Sequence, residues 1–381
     1  MIFKNNILTF INSKAEKDFD PYYVYDIEAI RKHCRIFKNI SYQNKSIHFA
    51  SMANINPRFL KIVKEEKVNI FVNSIMHLKA AQRVGFKNRE IIFTSSALSG
   101  KKMQFAHDNG VQLNLDSPNQ LALWMNLFPG ETVGIRCNIG DAVKPTTSHA
   151  GFFIGSESRL GFTREEIAHI ADKSIISGLH LYAGTDIFDI DFFINCYKEL
   201  IDIAVNFPDL AYLNLGGGFG VSEDGEEQFD FSEYNTRVTQ LMLEVSQETG
   251  SNIRLILEPG RIIGGEAGYF VSNITDIKKR GNNRMVGVNA STVQFSRPLM
   301  YPDIASHPVM IIRNNDRLIS ELLYPTTIYG CSTYSRDLFS KKIQLPELEI
   351  GDTVVFGNAG SYSASSYTHF LGFPKPEEYF I

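Results

Sequence analysis

SIHFASMANINPRFLKIVKEE, residues 46–66, contains one complete beat of the rhythm that decides the fold. Ser46–Ala50 is a short apolar strand. A polar turn and an Asn-Pro break follow, and Pro57 suits the first position of a helix because its missing N–H is an orphan there anyway. Pro57–Glu66 then reads as an amphipathic helix. The same order of strand, turn and helix recurs from residue 22 to about residue 265. The further strands are Ile70–Val72, Ile91–Thr94, Leu113–Leu115, Thr132–Cys137, Leu179–Tyr182, Tyr212–Leu215 and Arg254–Glu258. Helical patterns run over Ile75–Val84, Lys101–Asn109 and Glu165–Lys173, and Asp116-Ser117-Pro118 supplies a cap and a proline for another. About eight such units in some 240 residues match a (β/α)8 barrel in count and size. Chemistry in that fold sits at the C-terminal ends of the strands. The rule directs attention to Ser51–Asn54, Asn73-Ser74, Arg136, Tyr182–Thr185, Gly216–Gly218 and Glu258–Arg261.

After roughly residue 268 the texture changes to β-rich alternation without a long helix, as in Tyr269–Ile274, Val309–Ile312, Glu321–Tyr324 and Thr353–Phe356. The expected organisation is therefore a barrel over residues 27–267 and an all-β domain over residues 268–381. The strand-like Tyr22–Asp26, within residues 1–26, is assigned to the β-domain.

Composition narrows the function classes. The chain has 381 residues, 44% hydrophobic and 21% charged, with a net charge of −4. No Lys/Arg-rich stripe marks a nucleic-acid surface, and Lys61–Lys67 and Lys278–Arg280 read as solvated faces. Cys34, Cys137, Cys196 and Cys331 are scattered without C-x-x-C spacing, so neither a disulfide framework nor a metal site is expected, in keeping with a cytoplasmic protein. The apolar patch Ile7–Ile11 is too short for a signal segment, and no apolar run is long enough to span a membrane.

Three motifs carry chemistry together. The glycines of LNLGGGFG, Gly216, Gly217 and Gly218, follow an apolar strand, where backbone N–H groups can cradle an anion; a plain tight turn is the alternative. LEPGR, Leu257–Arg261, places Glu258 beside a turn with Gly260 and Arg261. A carboxylate there can pair with a ring-nitrogen cation, or simply with the arginine. In NAGSY, Asn358–Tyr362, the hydroxyl of Tyr362 can donate to a phosphate.

In this order, with RPLMY at Arg297–Tyr301, Asp337, and GFPKP after Phe370, the motifs resemble the fold-type III pyridoxal-phosphate decarboxylases that act on ornithine, diaminopimelate and carboxynorspermidine. The resemblance covers Tyr23 to Tyr379. Alanine racemases share the barrel but differ in the C-terminal pattern. The resemblance implies a barrel with a C-terminal β-domain, pyridoxal 5'-phosphate as cofactor and a homodimer with shared active sites. It assigns Gly216, Gly217, Gly218, Gly260, Arg261 and Tyr362 to the phosphate and Glu258 to the pyridine nitrogen. Arg297 and Tyr301 fall on the segment that meets a substrate carboxylate, and Phe370 on an aromatic lining the site. Asp337 falls on the acid of a loop that reaches the neighbouring subunit, and SRLGF at Ser158–Phe162 on a further family segment.

The departures are as informative. The family's "YALKAN" lysine, which forms the Schiff base, falls on Met52 of FASMAN. Its ring-stacking histidine falls on Tyr182, and its active-site cysteine and acid fall on Thr333 and Tyr334, which leaves Cys331 outside that role. A lysine replaced singly to trap a ligand would leave those other positions unchanged, so divergence is the reading. The expected activity is decarboxylation of a basic amino acid or amino-acid conjugate, of polyamine or siderophore type, with the cofactor held noncovalently. The alternative is a catalytically inactive binding or regulatory relative. His149, His180 and His369 read as satisfied structural histidines, and Lys144 as an exposed loop lysine rather than a surrogate amine.

Overall fold

Eight parallel strands close on themselves: Lys45–Ala50, Asn69–Val72, Ile91–Thr94, Gln112–Leu115, Val133–Cys137, Ile176–Leu181, Tyr212–Asn214 and Arg254–Leu257. The last pairs with the first, Leu257 opposite Ile47, so no edge is left unpaired. This computed structural model describes residues 4–14, 19–144, 151–222, 228–302 and 305–381, and His149 lies outside them. The strands read as almost unbroken apolar runs because a barrel strand is covered on both faces, by the barrel core and by helices. All eight strands coincide with the stretches expected from sequence, to within one residue at their ends except Ile176–Leu181, which starts three residues before the expected Leu179.

Local sequence starts the helices cleanly. The Asn56 side chain accepts from Arg58 N, with Pro57 at the first position of Pro57–Glu65. Ser74 caps Ile75–Val84, and Gly85, at φ 92°, ends it in a left-handed conformation that glycine adopts without strain. Ser117 and Pro118 open Pro118–Leu127. The helix expected over Glu165–Lys173 is shorter, Arg164–Ala168, followed by a 3-10 turn at Lys173–Ile175. The reason is local: Asp172 accepts from both Ser174 N and Ser174 Oγ, which favours a tight turn over continued helix.

The chain divides into two packed units. Arg31–Gly220 with Gln228–Gly260 contains the barrel, and the described residues of Met1–Ile30, Val221–Glu227 and Arg261–Ile381 form the other. The second unit is built on a nine-stranded sheet. Tyr22–Tyr25 runs antiparallel to Gly268–Arg280 and parallel to Glu377–Phe380, so the amino-terminal strand belongs to this sheet. The Ile7–Ile11 patch becomes the buried face of the helix Asn5–Ser13, with Ile7 and Ile11 one turn apart against Tyr22, Tyr269, Met310 and Val355. Residues 261–267, expected with the barrel, pack inside the sheet unit. Their backbone lies against the Asn358–Tyr362 loop so closely that a Cβ on Gly360 would stand 1.9 Å from Gly264 O.

The strand expected at Glu321–Tyr324 is displaced to Tyr324–Tyr329. Ser320 Oγ accepts from Leu322 N and donates to Leu322 O, a local turn that competes with ladder pairing and leaves Ile319 and Leu322 exposed. No helix among the described residues is long and apolar enough to cross a membrane.

Candidate active site

The C-terminal ends of the barrel strands gather Met52, Tyr182, Gly216–Gly218 and Glu258. Each arrives by the same device, a strand that carries its last residues to the rim before the chain turns into the next helix.

The glycines are there because nothing larger fits. A Cβ on Gly216 would lie 2.2 Å from Leu181 O, one on Gly217 2.3 Å from Glu258 O, and one on Gly218 2.5 Å from Gly184 O. Gly216 and Gly218 also adopt φ of 70° and 109°. The cradle is narrower than expected, however. Gly216 N donates to Asn214 Oδ1 at 3.0 Å, so its role is to make the bend. The amides of Gly217 and Gly218 donate to no other described residue, which leaves two adjacent backbone N–H groups for an anion.

Asn214 is a residue that sequence reasoning overlooked. Besides accepting from Gly216, it donates Nδ2 to Glu258 Oε1 at 2.6 Å, and so couples the glycine bend to the acid. Glu258 N in turn donates to Gly216 O at 2.7 Å. The Glu258 side chain is buried, which by itself would raise its pKa. His180, then Asn214 and His48, outweigh that effect and hold the carboxyl below its ordinary range, ionised. His180 Nε2 stands 3.4 Å from Glu258 Oε2, and neither ring nitrogen has a well-formed hydrogen bond among the described residues. The expectation of a satisfied structural histidine is corrected accordingly: His180 faces the acid. The sequence carries a faint signal for it, a histidine two residues before Tyr182 on the same strand and hence on the same side. His48 lies deeper, its pKa pushed down to about 4 by burial.

Met52 occupies the turn after Lys45–Ala50, half-buried, with Ser51 Oγ donating weakly to its sulfur at 3.9 Å. Tyr182 stacks on Phe153, ring centroids 4.9 Å apart and planes 17° from parallel. Close by, Asp116 accepts from Arg136 Nε at 2.7 Å and from Gly161 N at 2.9 Å, which fastens the Ser158–Phe162 segment to the barrel. Lys144 is exposed.

In the sheet unit the candidates fall into separate groups. Arg261 and the Tyr362 turn form one corner: Ser361 Oγ donates to Arg261 O at 3.1 Å, and Tyr362 itself is held at φ 53°. A non-glycine residue in that region is strained and persists only where its surroundings dictate it. Arg297 is buried, with Nη1 3.4 Å from His307 Nε2. His307 Nδ1 lies 2.9 Å from Gly357 O, which can only accept, so the ring carries its proton on Nδ1 and turns a lone pair to the arginine. Tyr334 packs edge-on to Phe370 at 5.5 Å. Thr333 and Tyr301 are exposed.

Asp337 requires a correction. It is 2% exposed and both carboxylate oxygens are engaged within its own unit. Oδ1 accepts from Thr292 N and Oγ1, and Oδ2 from Ser332 N and Oγ. In this chain it fixes the shape of the Gly330–Asp337 loop, and both oxygens expected to reach the neighbouring subunit's site are already hydrogen-bonded within the loop and to Thr292.

A closed parallel barrel with a buried, ionised acid and a glycine turn at the ends of its strands, joined in one chain to a nine-stranded sheet domain, defines the class. Residues 27–265 match the model of the family described as "Pyridoxal-dependent decarboxylase, pyridoxal binding domain", and the chain belongs to that family. It is 28% identical to the diaminopimelate decarboxylase of Methanothermobacter thermautotrophicus over 96% of this chain and 88% of that one. It is 25% identical to the 2-[(L-alanin-3-ylcarbamoyl)methyl]-2-hydroxybutanedioate decarboxylase of Staphylococcus aureus over 96% and 94% of the two chains. Among solved structures, the diaminopimelate decarboxylase of Helicobacter pylori complexed with L-lysine superposes with a TM-score of 0.84 at 25% identity, covering 98% of this chain and 93% of that one. Pyridoxal phosphate is the cofactor of this family, and the residues present fit it. The paired free amides suit its phosphate, and an ionised, buried carboxylate suits a protonated ring nitrogen.

Proposed function

We propose that this protein is a decarboxylase of a basic amino acid or an amino-acid conjugate, holding pyridoxal 5'-phosphate without a covalent lysine link and working as a homodimer. The observation that carries the reading is the intact Gly216–Asn214–Glu258 unit beside a methionine at the lysine position. Pyridoxal phosphate, when bound, supplies a ring that takes up the electron pair left as a carboxylate departs as CO2. The protein's part is electrostatic and geometric. Glu258, kept ionised by His180, would keep the ring nitrogen protonated, and that cation is what makes the ring an effective acceptor. The amides of Gly217 and Gly218 would hold the phosphate, and Tyr182 offers a flat face to the ring. Arg297, oriented by His307, carries the positive charge suited to a substrate carboxylate.

Met52 itself favours a second reading, a protein that binds the cofactor and has lost catalysis, because without a lysine both entry of substrate and release of product lose their preformed covalent partner. Incubating the cofactor-loaded protein with diaminopimelate, lysine, ornithine and arginine separates the two. The decarboxylase reading expects CO2 and the matching amine from at least one of them. Cofactor retention with no CO2 from any amino acid or conjugate tried would leave the binding protein as the function.

A further inference from the structure

Beside Met52 stands a side-chain pair that the family reading does not use. Ser51 Oγ and His77 Nδ1 are 2.8 Å apart. Ser51 closes the strand Lys45–Ala50 and is fully buried, whereas His77 lies in the first turn of Ile75–Val84, reached from the neighbouring strand Asn69–Val72. Both are on the rim of the barrel where the strands end. His77 is half-buried, and its Nε2 has no partner among the described residues. We propose that Ser51 and His77 form a proton-transfer dyad in which His77 Nε2 takes the proton from the ammonium group of an incoming amino acid, so that it can react as a free amine where no lysine is present to hand over an activated carbon. This proposal rests on the noncovalent decarboxylase reading above and deepens it.

The dyad requires one tautomer of the ring. A serine hydroxyl has one proton to donate, and Met52 Sδ at 3.9 Å and His77 Nδ1 at 2.8 Å are both within its reach. The dyad has that proton on the sulfur side, with the oxygen accepting from His77 Nδ1–H, so that the ring is the Nδ1–H form and its lone pair lies on Nε2. The thioether at position 52 thereby has a role of its own. A lysine ammonium there would donate to Ser51 Oγ instead of accepting from it. Two further features favour the neutral ring. Burial lowers its pKa, and no charged group is among the causes of that shift. It also sits at the positive end of a ten-residue helix, which disfavours imidazolium. The step is a single proton transfer: ammonium and imidazole become amine and imidazolium, with no other bond changed. Ser51 Oγ, fully buried, is a positioning group rather than a nucleophile.

Two measurements test the dyad, one of which needs no cofactor. In the unloaded protein, 15N shifts of the His77 ring are expected to report the Nδ1–H form, and Ser51→Ala to shift the population toward Nε2–H. In protein loaded with pyridoxal phosphate, the absorbance change on mixing with diaminopimelate is expected to slow about 10²-fold in His77→Gln, the scale of one general base. Added imidazole should restore part of that rate, which it would not do for a residue that only supports the fold. Cofactor affinity measured by dialysis should be unchanged, and an unchanged affinity leaves the decarboxylase reading standing whatever the rate does. An Nε2–H ring in the unaltered protein, or an unchanged rate in His77→Gln, overturns the dyad alone. Failure of the unaltered protein to bind the cofactor overturns the reading and the dyad with it.

Discussion

Met52→Lys is expected to turn a dissociable cofactor into a covalently held one. Methionine and lysine both have unbranched stems, so the substitution changes the end group more than the packing. The new amine would stand at the end of the first barrel strand, on the rim that also holds Glu258 and the Gly216 bend. Tethering a reactant converts an encounter into an intramolecular event, and loss of cofactor on dialysis should slow about 10²-fold or more. After borohydride reduction, the peptide containing residue 52 should carry one cofactor mass. If the label is absent from that peptide, position 52 is not the family's lysine position and the reading of the first strand is wrong. The same substitution places a donor beside Ser51 Oγ, so any gain in catalysis would be set against a disturbed His77.

Glu258→Gln is expected to have the second large effect. Glutamine keeps the volume and can still accept from Asn214 Nδ2, but it removes the charge that His180 faces at 3.4 Å. A neutral amide does not hold a ring nitrogen protonated, so the decarboxylation rate should fall about 10²-fold or more, the scale seen when one preorganised electrostatic partner is removed. Cofactor affinity should change far less, since the amides of Gly217 and Gly218 are untouched. Steady-state rates and dialysis on the same preparation separate the two. Equal losses in rate and affinity would mean that Glu258 only supports the fold. A rate unchanged in glutamine would remove it from the chemistry altogether.

The barrel was legible in sequence because its period is strong: short apolar runs bounded by Asn-Pro, Asn-Ser and Asp-Ser-Pro signals, each with a physical meaning at a helix start. The sheet domain was legible as a texture but not strand by strand. The Ser320 turn shows why: apolar residues such as Ile319 and Leu322 are as compatible with an exposed turn as with a strand until the partner strand is known. Among site residues, the glycines were readable since close approach of Leu181 O and Glu258 O excludes any side chain. Asn214 and His77 were not, and Ser51 and His180 only as positions, because their roles arise from contacts between different barrel units. Asp337 shows the converse: a motif position can be occupied by the right residue while its oxygens are engaged elsewhere.

The central claim, a pyridoxal-phosphate site that works without its lysine, is tested most directly by loading the unaltered protein, treating half with borohydride and mapping its peptides by mass. The account predicts one cofactor per chain in the native protein, complete release on denaturation in both halves, and no labelled lysine, Lys144 included. A cofactor fixed to any lysine, or none retained at all, would contradict it.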